Sequence, residues 1–165
     1  MTRIPDDLAE TLARAGVEPT AARLAVGRAL FREDRAFPAA DLLRAVRAEM
    51  PVNKVTLYRI LDLFVEHGLA NRHSCGDRAF RYCPGPRFSG RAHGHAYCVR
   101  CGRMECLPTT GQLVDVEALG RSLSMEVVGV EVRIDGICAA CRARARREGR
   151  PEDPEAVVDA GPGKI

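Results

Sequence analysis

The chain has no tryptophan, and aromatic residues make up only 5% of its 165 positions. No apolar stretch approaches the ~20 residues that cross a bilayer, and Arg3, Asp6, Asp7 and Glu10 interrupt the start, so neither a secretory leader nor a membrane anchor is expected. A cytoplasmic protein follows. No large excess of charge of either sign is present. The net charge is +3, which neither demands nor excludes a nucleic-acid partner. Cysteine is wholly missing before position 75, yet seven follow between Cys75 and Cys141. In a reducing compartment, metal ligation explains that density better than disulfides. The apolar content of 46% is ordinary for a packed core.

The uneven cysteines divide the chain into an arginine-rich first half and a Cys/His-rich second half. In the first, residues 6–15 read as a helix closed by Gly16. Pro19 is expected in the first turn of a second helix running to Phe31, and Pro38 in the first turn of a third, which Pro51 ends. Asn53 is a good N-cap for a fourth helix that stops at Gly68. On that helix Leu57, Ile60, Leu61 and Phe64 share one face, and Tyr58, Arg59, Asp62 and Glu66 the other. Two extended runs, 69–74 and 79–83, flank a Cys75-Gly76-Asp77 turn suited to a hairpin. Short helices followed by a hairpin is the winged-helix order, in which the helix before the hairpin reads double-stranded DNA. Tyr58 is placed to touch a thymine methyl and Thr56 or Arg59 a base edge or phosphate, while Arg14, Arg23 and Lys54 are candidates for neutralising the backbone.

Residues 84–91 have the Pro/Gly/Ser content of a linker. Beyond it, strands are expected over 96–100, 103–107 and 125–134, with a helix over 114–123. The Pro/Gly-rich tail at 149–165 is expected to be disordered. The resulting map is α+β: a winged-helix domain at 1–83, a hinge at 84–91, a metal-binding domain at 92–148, and the tail.

Cys98-Val-Arg-Cys101-Gly and Cys138-Ala-Ala-Cys141 form two C-x2-C pairs, with 36 residues between their inner members. Each pair sets two thiolates on one side of a tight turn, and two such turns complete a tetrahedral sulfur shell suited to a structural zinc ion. A second, less complete set surrounds His93 and His95. These are two apart in a strand and share a face, with Cys98 on the opposite one. Cys83 before the linker, Cys106 beside Glu105 on the next strand, and His73 are the remaining candidates for a nitrogen/sulfur site. Such a site suits zinc better than iron(II). Cys75 is read as a bystander.

These residues resemble the ferric uptake regulator family over roughly residues 5–148. The matching stretches are AGVEPTAARLAV, the Thr56-Leu57-Tyr58-Arg59 run with EHGLA after it, and HGHAYCVRCGRMEC with the later CAAC. The resemblance implies a homodimeric, metal-activated repressor of metal-uptake genes, with a C-terminal α/β dimerisation domain, zinc at the four cysteines and a sensing site at the hinge. Iron-sensing relatives carry His, Glu and Glu where Ala36, Arg81 and Cys106 stand here. An additional site found in many relatives is replaced by Ala92, Gly94 and Val130. Cys83 in Tyr-Cys-Pro is similar to the wing-end cysteine of zinc uptake regulators. One departure leaves the fourth position open: Glu105 falls four residues after Cys101 and Cys106 five.

Cys83 lies on the DNA-binding side of the linker and His93 and His95 on the other, so an ion held by both would clamp the hinge and fix the dimer at the spacing of a palindromic operator. Iron, manganese, haem or peroxide as the cue is the alternative within the family. A zinc deaminase would need a His-x-Glu element, and the chain has His-Gly-His. A redox switch on Cys75, Cys83 and Cys106 is the remaining alternative.

Overall fold

The computed structural model describes residues 7–33, 35–74, 79–85, 94–107, 115–123, 126–127 and 131–149. It separates into two compact units, residues 1–92 and 93–165. The expected tail from 150 on, Cys75, His93 and the linker from 86 to 91 lie outside the described residues.

In the first unit, α1 (Leu8–Arg14) starts where the Asp7 carboxylate accepts the Glu10 N–H at 2.8 Å, and Leu8 and Leu12 are buried one turn apart. Helix α2 (Ala21–Phe31) is capped by Thr20, whose hydroxyl accepts the Arg23 N–H. Pro19 therefore precedes the cap instead of occupying the first turn, because the threonine hydroxyl supplies the acceptor that defines the helix start. Gly27 lets the two helices close: a Cβ there would lie 3.1 Å from Leu8 Cδ2.

Strand β1 (Arg35–Pro38) follows, an element the sequence reading lacks. Pro38 ends it and serves as N-cap of α3 (Ala39–Arg47), one position earlier than expected. Helix α3 stops four residues before Pro51, its last turn closed by the Met50 N–H on the Val46 carbonyl at 3.0 Å. Helix α4 (Lys54–Glu66) begins as expected, with the Asn53 side chain accepting the Thr56 N–H at 2.8 Å. It ends at Gly68, whose φ of 68° lets the Leu69 N–H turn back to the Phe64 carbonyl at 2.8 Å. Leu57, Ile60, Leu61 and Phe64 are all buried, each contributing about 1.5–3 kcal/mol. The Phe64 ring stacks on Phe31.

Strands β2 (Ala70–Ser74) and β3 (Phe80–Pro84) pair antiparallel, and β1 joins the other side of β3 through Phe37 opposite Tyr82. The hairpin extends past the expected linker boundary. Pro84 lies opposite Ala70, and the buried Gly85 donates its N–H to the Leu69 carbonyl at 2.7 Å. A Cβ on Gly85 would stand 2.4 Å from the Gly68 carbonyl oxygen, so the chain leaves the sheet through a gap only glycine fits. Helices, hairpin and β1 enclose one apolar core.

In the second unit, β4 (Gly94–Cys98) pairs antiparallel with β5 (Met104–Leu107) and parallel with β6 (Arg133–Gly136). Helix α5 (Val116–Ser122) begins after Asp115, whose carboxylate accepts the Ala118 N–H. Strand β6 is shorter than the expected 125–134: Glu126, Val127, Glu131 and Val132 lie outside it. Helix α6 (Ala139–Arg147) is a second element the sequence reading lacks. Among the described residues, no helix is long and apolar enough to cross a membrane.

Candidate metal centres and DNA-reading surface

Within the second unit, β4 delivers Cys98 at its last position. The chain then folds back so that the Gly102 N–H meets the Cys98 carbonyl and the Cys98 N–H meets the Arg103 carbonyl, both at 2.8 Å. Gly102 reaches φ 70°, which a side chain would resist. Cys138 is the N-cap residue of α6 and Cys141 lies in its first turn. The sulfurs of Cys98, Cys101, Cys138 and Cys141 all lie within 4.8 Å of one another. Those of Cys101 and Cys138 are 3.8 Å apart, the edge of a tetrahedron whose centre is about 2.3 Å from each corner, the zinc–thiolate distance.

The electrostatics favour a cation. Burial pushes the Cys98 thiol up, but backbone N–H groups of Cys138, Cys101 and Arg100 outweigh it and bring the thiol down to about 6. The Cys138 N–H donates to this sulfur at 3.3 Å. Burial raises Cys101. Hydrogen bonding with Cys138, followed by burial, pushes Cys141 up to about 12. The Cys98 thiolate forms readily, while Cys101 and Cys141 are held back. A divalent cation among the sulfurs offsets that penalty. The residues fit a metal ion.

In the first unit, His73 and Cys83 are diagonal neighbours on one face of the hairpin, since His73 lies opposite Arg81 and Cys83 opposite Asn71. Both are buried, and the His73 Nε2 to Cys83 Sγ distance is 3.4 Å. In the second unit, His95 is buried on β4 directly opposite Cys106, which is half-buried. Glu105 is opposite Ala96, hence on the other face, and forms an ion pair with Arg103 at 2.9 Å. Cys106, not Glu105, therefore shares a face of the sheet with His95.

On α4, Lys54 and Arg59 are exposed, whereas Thr56 and Tyr58 are half-buried, with the Lys54 ammonium 5.8 Å from the Tyr58 ring centre. Arg14 is exposed and ion-paired with Glu10. Arg23 is tied down: its guanidinium donates to the Glu18 carbonyl at 2.9 Å and lies 3.6 Å from the Glu18 carboxylate. Sequence reasoning missed Arg72, which bridges from the hairpin to α4. Its guanidinium stands 3.4 Å from the Asp62 carboxylate and 4.9 Å from the centre of the exposed Phe80 ring.

The model of the ferric uptake regulator family matches residues 14–119. The chain belongs to this family. Family members are metal-responsive, DNA-binding transcription regulators, not enzymes, with an N-terminal winged helix and a C-terminal dimerisation domain. The ferric uptake regulation protein of Bacillus subtilis is 25% identical over 142 residues, covering 84% of this chain and 95% of that protein. The protein of the same name from Neisseria meningitidis is 27% identical over 116 residues, 66% of this chain and 74% of its own. A zinc uptake regulator solved in complex with zinc and DNA is 26% identical, with a TM-score of 0.61, covering 83% of this chain and 91% of that one.

Proposed function

We propose that this family member is a zinc-responsive repressor that binds palindromic operators of metal-uptake genes as a homodimer. The observation carrying the proposal is the buried His73–Cys83 pair on the hairpin of the DNA-binding unit. An imidazole nitrogen and a thiol 3.4 Å apart supply a borderline-soft donor set, which suits zinc, whereas iron(II) and manganese(II) sites favour carboxylates. His95, with Cys106 on its face, and His93 complete the set from the second unit, and an ion held by both units ties the reading helix α4 to the dimer. The four-cysteine cluster holds a separate structural zinc ion, one per chain.

A repressor needs the metal to favour one state. Going from 1% to 99% of the competent arrangement takes about 5.5 kcal/mol of differential affinity, well within what two or three buried zinc ligands contribute. Tyr58 and Arg59 read bases, Thr56 assists, and Lys54 and Arg14 neutralise phosphates. Arg23 contributes only if it releases Glu18.

The deciding experiment titrates zinc, iron(II) and manganese(II) into protein stripped of its exchangeable metal and follows binding to duplexes from upstream of metal-uptake genes. Two zinc ions per chain, with tight DNA binding only after the second, is the expected result. Equal binding without the second ion, or activation by iron(II) at lower concentration than zinc, overturns it.

A further inference from the structure

Residues 139–149 carry four arginines and one glutamate, a net +3. The whole chain also sums to +3, so every other residue together balances to zero. Within the second unit, ten Lys/Arg face eleven Asp/Glu, and without this stretch the unit is clearly acidic. Within this unit, positive charge is gathered onto one element.

That element is α6. Its buried residues are Cys141 and Ala145, one turn apart, which fixes the face that packs inward. Arg142, Arg144, Arg146 and Arg147 are all exposed and spread over roughly 200° of the remaining arc at about 100° per residue. Helix stability does not account for the pattern. Arg142 and Arg146 are four apart and Arg144 and Arg147 three apart, spacings at which like charges repel. Three of the four benefit from the C-terminal end of the helix, but Arg142 sits in its N-terminal half, where positive charge is disfavoured. Arg144 lies 4.0 Å from the Glu148 carboxylate.

We infer that α6 is a phosphate-binding surface for duplex DNA, separate from α4 and independent of base sequence. This rests on the DNA-binding reading above. Guanidinium groups pair with phosphate oxygens in a fork geometry that lysine cannot match. Arg142 and Arg147 are about 7.5 Å apart along the helix axis, close to two phosphate steps of about 3.4 Å on one strand. The position is set by metal chemistry, because α6 starts at Cys138 and Cys141. The same four sulfurs that fold the unit therefore orient its basic helix.

The test uses the full-length, zinc-loaded protein and a labelled duplex of random sequence, with affinity measured across a potassium chloride series. Each lost phosphate contact lowers the slope of log K against log salt by about 0.9. The triple variant R142Q/R146Q/R147Q is expected to lose about 2–3 from the slope and to bind on the order of tenfold more weakly near physiological salt. The corresponding triple lysine variant is expected to recover most of the slope. Should the triple glutamine variant fail to fold, Arg142→Gln and Arg147→Gln taken singly each remove about 0.9. An unchanged slope in folded, zinc-replete variants overturns the inference, even where binding remains metal-dependent. A lowered slope in a protein whose binding ignores the second metal keeps the inference and overturns the switch.

Discussion

His73 Nε2 lies 3.4 Å from Cys83 Sγ across the β2–β3 hairpin, with both side chains buried. A pairing this close forms when two strands of fixed register place residues diagonally on one face, so each partner can be deleted without moving the other. Cys83→Ser and His73→Ala are each expected to remove one zinc ion per chain, lower metal affinity by about 10–100-fold or more, and leave the second zinc ion at the cysteine cluster. Metal analysis after dialysis against a mild chelator checks this. Two ions retained in both variants would place the exchangeable metal elsewhere.

The four-cysteine cluster calls for a different outcome. Cys98 and Cys141 are buried and tie β4 to α6. Structural zinc in such shells contributes on the order of 10 kcal/mol to folding, which exceeds the stability of most small domains. Cys141→Ala is therefore expected to unfold residues 94–149 while α1 to α4 stay folded around their own core. Hydrogen exchange resolved by segment distinguishes the two halves. Equal protection in both would show that the cluster is dispensable.

Legibility in the sequence followed the range of the interactions. Helix α4 was readable because its cap, its apolar stripe and its terminal glycine are all local: Asn53, Leu57 to Phe64, and Gly68. The four-cysteine cluster was readable because C-x2-C spacing carries its own geometry. Strand β1 was not. It is four residues long, ends in a proline, and exists because Phe37 pairs with Tyr82, 45 positions away. Helix α6 was hidden beneath the cysteine motif that starts it, although alanine and arginine are good helix formers. The commitment of Arg23 to the Glu18 carbonyl, and the face that Cys106 shares with His95, depend on loop conformation and strand register, neither of which residue type reveals.

Tyr82 provides a pH-dependent test within the first unit. It is buried, and that burial, reinforced by the negative charge of Asp62, raises its phenol above the ordinary value of 10 against the opposing pull of Arg72. A group whose folded pKa is raised contributes stability that is present below the unfolded value and lost as pH rises through the folded one. The wild-type unit is expected to lose stability above pH 10 more steeply than Tyr82→Phe, which has no phenol to ionise. Urea unfolding of both proteins at neutral and alkaline pH gives the comparison, and parallel curves would show that the Tyr82 phenol titrates alike in the folded and unfolded states.

A polar contact joins the ends of α1 and α4. His67, at the C-terminal end of α4, has Nδ1 2.8 Å from the Ala15 carbonyl at the end of α1. A carbonyl only accepts, so the Nδ1 position carries the hydrogen and the ring is held in that tautomer or in its cationic form. The contact is half-buried and spans 52 positions of chain, and its loss strands a carbonyl that a helix end already leaves without an intrahelical partner. His67→Ala is expected to cost about 1–2 kcal/mol, seen as a lower urea midpoint with the slope unchanged. His67→Asn retains a donor near the same place and is expected to recover part of that loss. If alanine and histidine give the same midpoint, the bond adds nothing, and α1 is held by its apolar packing, Leu8 and Leu12 included.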